Sequence, residues 1–263
     1  EGSLRFATAL FQLGVRKGDR VAIMLPNCPE LVVAFYGALR IGAIPVNTNP
    51  MYVSREMRAQ LEDSGAETLV LLDQLFPRLR EVHAATRVRR TVVVDVTEGL
   101  PWAARALARW GQARRGERAR VPAETDVSFF HELLRTYPPT PPGASLLPTD
   151  VALLQYTGGT TGTPKGAMLT HRNLVANGLQ AASWFPRMRE GREVILGAVP
   201  LFHAYGLLGV LLLGVSSAAE MILIPRPRPD AVLEALHRFR PTLFPGVPTL
   251  YAGIVDHPRV GHY

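Results

Sequence analysis

The stretch Val151-Ala152-Leu153-Leu154-Gln155-Tyr156-Thr157-Gly158-Gly159-Thr160-Thr161-Gly162-Thr163-Pro164-Lys165-Gly166 decides how this chain is read. It opens with a mostly apolar run of strand length, Val151 to Tyr156. Residues 157–166 then hold four Gly, four Thr and one Lys, and read as a loop. Glycine lets backbone N–H groups approach an anion and tolerates positive φ. Threonine hydroxyls donate to phosphate oxygens or ligate Mg2+, and lysine adds a compact positive charge. Together they make a phosphate cradle, and a strand's end is where an open α/β sheet places its ligand. A surface turn without a ligand needs neither so many hydroxyls nor a lysine.

The loop is not the G-x-x-x-x-G-K-[ST] phosphate loop. Pro164 stands before Lys165 and Gly166 after it, and no helix follows directly. The lysine is itself informative. Of 29 Lys and Arg residues only Lys17 and Lys165 are lysine. Ammonium and guanidinium differ most in shape in such a cradle.

Outward from the loop the pattern alternates strand and helix. On the N-terminal side, helices are expected over Leu4–Leu13, from an Asn27 cap to Ile41, and from a Ser54 cap to Ser64. Strands are expected at Val21–Leu25, Ile44–Val46, Thr68–Leu72 and Thr91–Val96. After the loop come a short strand Ala167–Leu169 and a helix capped by Thr170. A strand Val194–Val199, a buried helix Leu207–Val215 and a strand Met221–Ile224 follow. An Asp230-capped helix, a strand Thr242–Phe244 and a helix opened by Pro248 complete the pattern. The rhythm implies an α/β fold, its largely parallel sheet layered with helices. Tyr137 to Pro148 carries five prolines and is read as a linker. It would separate a first α/β segment, 1–136, from a phosphate-loop and pocket segment, 149–263.

Composition sets the outer limits. With 263 residues, 47% apolar, the chain can bury a proper core and is not a disordered tail. The longest apolar stretch, Ala204 to Val215, is 12 residues, short of the roughly 18 that a membrane span needs. The start Glu1-Gly2-Ser3-Leu4 lacks the basic stretch and apolar core of a signal peptide. It reads as the middle of a helix, so residues are expected upstream. A single cysteine, Cys28, fits a reducing, cytoplasmic compartment. The net charge is +7, and nine arginines fall between Arg87 and Arg120. They are read as a coding bias plus a solvated helical face. No alternating aromatics suggest a stacking platform, so nucleic acid is not expected as a partner.

Residues 156–166 resemble the phosphate-binding motif of the adenylate-forming superfamily, which holds acyl-CoA synthetases, luciferases and amino-acid adenylation domains. The usual Ser of that motif is Gly158 here, a variant that fits the bacterial long-chain fatty-acid–CoA ligase branch. The likeness continues through Ala167-Met168-Leu169-Thr170-His171-Arg172-Asn173. It extends to Gly18–Asn27, Leu39–Pro50, the motif Pro200-Leu201-Phe202-His203-Ala204-Tyr205-Gly206, and Phe244–Tyr251. It covers nearly the whole chain, at the family's order and spacing.

The resemblance implies the front part of a large N-terminal α/β domain. The adenine motif, ribose-binding Asp and C-terminal domain bearing the adenylation lysine are expected downstream. It implies ATP-dependent activation of a fatty acid to acyl-adenylate and then acyl-CoA, with ATP, Mg2+ and CoA taking part. Thr157, Gly158, Gly159, Thr160, Thr161, Gly162, Thr163, Lys165 and Gly166 would bind the nucleotide phosphates. Thr157 or Thr160 would help hold Mg2+. His203 would stand beside the reacting carboxylate, in a pocket shared with Tyr205, Gly246, Val247 and Pro248. Leu201 to Gly214 contains no carboxylate, which disfavours an amino-acid substrate. Leu207, Leu208, Val210, Leu211 and Leu212 suggest an apolar acyl lining, with ordinary helix core as the alternative. Two other readings stay open: a ligase for aryl or short-chain acids, and a nucleotide- or acid-binding module without catalysis. A homodimer and peripheral contact with the inner face of the membrane are also open. Residues 1–263 alone are expected to be inactive.

Overall fold

The computed structural model describes residues 1–116, 119–157 and 164–262. The chain forms two compact units. The first comprises residues 1–25 and 30–169, the second residues 26–29 and 170–263.

In the first unit the elements run α1 (Gly2–Gln12), β1 (Arg20–Met24), α2 (Pro29–Arg40), β2 (Ile44–Asn47), α3 (Ser54–Ser64) and β3 (Thr68–Leu72). They continue α4 (Phe76–Val82), β4 (Arg90–Val94), α5 (Trp102–Arg114), β5 (Val127–Phe129), α6 (Phe130–Thr136), β6 (Val151–Thr157) and β7 (Lys165–Thr170). The seven strands make one sheet in the order β5-β4-β3-β1-β2-β6-β7. β1 pairs in parallel with β2 and β3, β3 with β4, β4 with β5, and β2 with β6. β1, β3 and β4 bury four of their five residues each. That is why they appear in the sequence as continuous apolar runs rather than alternations. Met24, Val46, Leu69 and Leu71 meet Met57 and Leu61 of α3 in one core cluster. The Phe6 and Phe130 rings pack 4.8 Å apart between α1 and α6. The proline-rich residues 137–148 carry no helix or strand. Lys17 Nζ holds their end, 2.8 Å from the Ser145 carbonyl and 2.6 Å from the Asp150 carboxylate.

The second unit runs α7 (His171–Ser183), β8 (Val194–Gly197), α8 (Ala204–Gly206), a π-helical stretch Leu207–Leu212, α9 (Leu213–Ser216), β9 (Glu220–Leu223), α10 (Pro229–Phe239) and α11 (Pro248–Val255). β8 and β9 pair in parallel. Leu196, Val232, Leu233 and Ile254 share its core.

Thr170 caps α7 as expected, its hydroxyl accepting from the Asn173 N–H at 3.2 Å. Three other expected caps do not act so. Ser54 is already the first residue of α3, and its hydroxyl donates to Glu81. The Val53 N–H is held instead by the Glu56 carboxylate at 3.0 Å. Asp230 lies inside the first turn of α10 and pairs with Arg259 and His257. Asn27 turns its side chain to the β8 segment. Thr242–Phe244 forms only a single bridge, Leu243 to Ile195, rather than a strand. The arginine block divides as well. Arg105 and Arg109 turn inward to carboxylates, and Arg114 lies over the Trp110 ring at 4.5 Å. The block therefore does interleave with aromatic residues.

Candidate active site

The phosphate-loop residues Gly158, Gly159, Thr160, Thr161, Gly162 and Thr163 lie outside the described residues. Their two anchors are described. Thr157 is the exposed last residue of β6. Lys165 and Gly166 begin β7 rather than ending the loop, and Lys165 is exposed. β6 and β7 are neighbours in the sheet.

Tyr156 fastens these two ends together. Its ring lies so close to Gly166 that a Cβ there would sit 3.1 Å from two ring carbons. Gly166 therefore has a packing requirement apart from any ligand. The Tyr156 hydroxyl donates to the Asp63 carboxylate of α3. Burial and the neighbouring Asp63 carboxylate push the phenol well above its ordinary pKa, so it remains a donor.

A second cluster forms inside the second unit, where the chain leaves β8. Gly206 packs against the turn that begins at Pro200. A Cβ on Gly206 would fall 2.1 Å from the Pro200 carbonyl oxygen, so only glycine fits. The buried side chain of Asn27 braces the same turn. Its Nδ2 donates to the carbonyls of Gly197 at 2.9 Å and Val199 at 2.8 Å, and its Oδ1 accepts from the Leu201 N–H at 2.8 Å.

The braced turn presents His203 at its tip. The imidazole packs against Phe202 with ring centroids 4.5 Å apart. Desolvation lowers its pKa from the ordinary 6.5, favouring the neutral ring. Its side chain does not cap the following helix. His203 and Tyr205 border a cleft of about 390 Å3 with Val199, Pro200, Gly206, Pro227, Val247 and Leu250. Among the described residues no Asp, Glu, Lys or Arg lines it.

The structure thus brings together His203, Tyr205 and Val247, which the sequence nominated. Gly246 and Pro248 flank Val247 but do not line the cleft. Gly246 instead gives room to the Tyr251 ring, 2.7 Å from where a Cβ would stand. The expected leucine lining is not there. Leu207, Val210 and Leu211 are buried core, and none of the five residues 207, 208, 210, 211 and 212 borders the cleft. Asn27 is the site residue that sequence reasoning misplaced. Among the described residues no group of three His, Cys, Asp or Glu could hold a metal ion. Among the same residues no helix is long and apolar enough to cross a membrane.

The sequence pattern of the AMP-binding enzymes matches residues 1–263. The chain belongs to the AMP-binding enzyme family. Within this family it is similar to the long-chain-fatty-acid–CoA ligase of Bacillus subtilis, 38% identical over 99% of this chain and 47% of that protein. The crystal structure of an anthranilate CoA ligase in complex with anthranoyl-AMP superposes with a TM-score of 0.83 at 25% identity, over 100% of this chain and 46% of that one. The long-chain-fatty-acid–CoA ligase of Archaeoglobus fulgidus does so with a TM-score of 0.78 at 30% identity, over 97% and 45%. The seven-stranded sheet layered with helices is the N-terminal fold of these adenylate-forming ligases. The chain spans about half the length of the AMP-binding relatives it matches.

Proposed function

We propose that this chain supplies the phosphate loop and acyl pocket of an ATP-dependent, AMP-forming fatty-acid–CoA ligase. The observation that carries the reading is the cleft at His203 and Tyr205, which no charged side chain lines among the described residues. An aliphatic tail loses nothing there, whereas an ammonium group would be desolvated without a partner. In the reaction a fatty carboxylate attacks the α-phosphorus of ATP and pyrophosphate leaves, giving acyl-adenylate. The CoA thiol then attacks the acyl carbon and AMP leaves. Such chemistry depends on positioning and charge neutralisation. Residues 157–163 and Lys165 would hold the departing phosphates, and neutral His203 would orient the carboxylate at the cleft mouth.

Mg2+ bound through substrate phosphates needs only one or two protein oxygens. The exposed Thr157 hydroxyl fits that requirement, and Thr160 is the other candidate. The ion would neutralise phosphate charge. Gly246 and Pro248 act by shaping the backbone on either side of Val247.

A ligase for aryl or short-chain acids is the second reading. The modest cleft volume and the likeness to the anthranilate ligase favour it. Acid-dependent pyrophosphate release by the intact protein, measured across fatty, aryl and amino acids, tests both. Aliphatic acids are expected to lead and amino acids to give nothing. An aryl acid in the lead selects the second reading, and an amino acid in the lead overturns both. Residues 1–263 by themselves are expected to show no ATP–pyrophosphate exchange with palmitate, because nothing dedicated to adenine or ribose is recognised among them.

A further inference from the structure

The C-terminal ends of β2 and β6 carry amides where a buried parallel sheet ordinarily carries aliphatic side chains. Asn47 closes β2, and Gln155 stands two residues before the end of β6. Both are buried, at 4% exposure each. They are register partners, so their side chains leave the same face of the sheet. Asn47 Nδ2 donates to Gln155 Oε1 at 2.9 Å. Gln155 Nε2 in turn donates, in a longer contact of 3.4 Å, to the Tyr156 carbonyl. That carbonyl belongs to the peptide group that leads into Thr157. From α3 a third buried amide, Gln60, donates through Nε2 to the Asn47 carbonyl at 2.9 Å and to the Thr48 hydroxyl at 3.3 Å. The Thr48 N–H donates to the Ile23 carbonyl of β1 at 3.0 Å. A chain of hydrogen bonds thus runs from β1 and α3 through the end of β2 to the last peptide group before Thr157.

Buried amides here need a reason. An apolar pair of the same volume would carry no desolvation cost, whereas an amide must find its partners. What the amides add is direction. Apolar contact is non-directional, but a hydrogen bond fixes angle as well as distance. Direction matters because the ladder between β2 and β6 is short. Its register runs through two pairs, Val46 with Leu154 and Asn47 with Gln155, against five pairs between β3 and β4. A slip of one residue would turn Tyr156 away from Asp63 and carry Thr157 to the opposite face. The bond between Asn47 and Gln155 occupies the last pair and opposes that slip.

We propose that Asn47 and Gln155 are positioning residues for bound nucleotide. They fix the direction in which the chain leaves β6, and so where the Thr157 hydroxyl stands. This inference rests on the reading of Thr157 as a contact to nucleotide phosphate or its Mg2+. Asn47 and Gln155 act through Thr157 and not by touching the nucleotide.

The test compares MgATP binding to the intact protein, by calorimetry, with thermal unfolding of each variant. Asn47→Leu and Gln155→Met each leave one buried amide without its partner. Each is expected to lower the unfolding temperature by several degrees and to weaken MgATP binding about tenfold. The double variant Asn47→Leu/Gln155→Met removes both amides and fills their space. Its unfolding temperature is expected to return most of the way to wild type, while MgATP binding stays about tenfold weaker. The exchanged pair, Asn47→Gln with Gln155→Asn, keeps two amides at the same total volume and is expected to bind MgATP more tightly than the apolar pair. Recovery of both readouts together in the apolar pair overturns the proposal, because a purely structural role would give that result. So does wild-type affinity in either single variant, or an exchanged pair that binds no better than the apolar one. KM for the acid is expected to stay unchanged throughout, and a rise matching that for MgATP also overturns the proposal. Wild-type protein that binds MgATP but releases no pyrophosphate with any acid sinks the ligase reading and leaves this inference standing. Wild-type protein that does not bind MgATP overturns both.

Discussion

Tyr156 donates its phenolic hydrogen to Asp63, 93 residues earlier in the chain, while its ring covers Gly166. One side chain therefore ties β6 to α3 and packs against the start of β7. Tyr156→Phe keeps the ring and loses only the hydrogen bond. It is expected to lower stability by about 1 kcal/mol and to raise KM for MgATP severalfold in the intact enzyme, with KM for the acid unchanged. Gly166→Ala forces the ring aside and is expected to raise KM for MgATP further. Thermal unfolding with steady-state kinetics checks both. An equal rise in the two KM values would assign Tyr156 to general folding alone.

Lys165 stands exposed at the start of β7, on the far side of the same loop. If Lys165 makes the proposed charge-assisted contact to an outer phosphate, Lys165→Ala loses it, and KM for MgATP is expected to rise about ten- to hundredfold. KM for the acid is expected to move little. Lys165→Arg restores charge but not shape, and is expected to recover only part of the loss. A variant that binds MgATP as wild type does would remove Lys165 from the site.

Asn27 makes all three of its hydrogen bonds to backbone groups of residues 197–201 in a buried setting. Asn27→Ala strands two carbonyls and one N–H, and is expected to cost about 3 kcal/mol or more in chemical denaturation. Asn27→Asp keeps the acceptor but sets carboxylate oxygens against the carbonyls of Gly197 and Val199. It is expected to be at least as damaging at neutral pH. Loss of stability without loss of the His203–Phe202 contact, followed by NMR, would confine Asn27 to the core. Loss of both is expected, because the brace leads directly to that turn.

The parallel sheet was legible because β1, β3 and β4 are buried on both faces and so spell continuous apolar runs. The Thr170 cap was legible because its partner, Asn173, is local. Asn27 was not, since its partners lie 170 and more residues away and no local pattern records them. Ser54 and Asp230 failed as caps because a cap depends on where the backbone turns helical. Val53 and Arg228 take the extended conformation instead. An apolar run such as Leu207–Leu212 says that it is buried, not against what, and here it faces the core rather than the cleft. Helix α5 reads weakly because its inward positions are arginines neutralised by Asp95 and Glu98, which inverts the usual pattern. The phosphate loop itself was read from composition and resemblance. Its flanks, Thr157 and Lys165, are what the structure adds.

The pH response of His203 follows from its place against Phe202. Desolvation lowers its pKa below 6.5 in the folded protein, while the unfolded chain titrates near that ordinary value. As pH falls below 6.5 the unfolded state takes up the proton first. Stability linked to this group is therefore full above that pH and declines as pH drops toward the folded value. The same shift favours the neutral ring at physiological pH, which suits the proposed role of orienting a carboxylate rather than attracting it as an ion. Histidine Cε1–H resonances followed by NMR are expected to place the His203 midpoint below 6.5. Phe202→Ala is expected to move it back up by exposing the ring to water. A midpoint at or above 6.5 in the wild-type protein would mean that the imidazole carries a charge partner not seen here, and its role beside the carboxylate would have to be that of a cation.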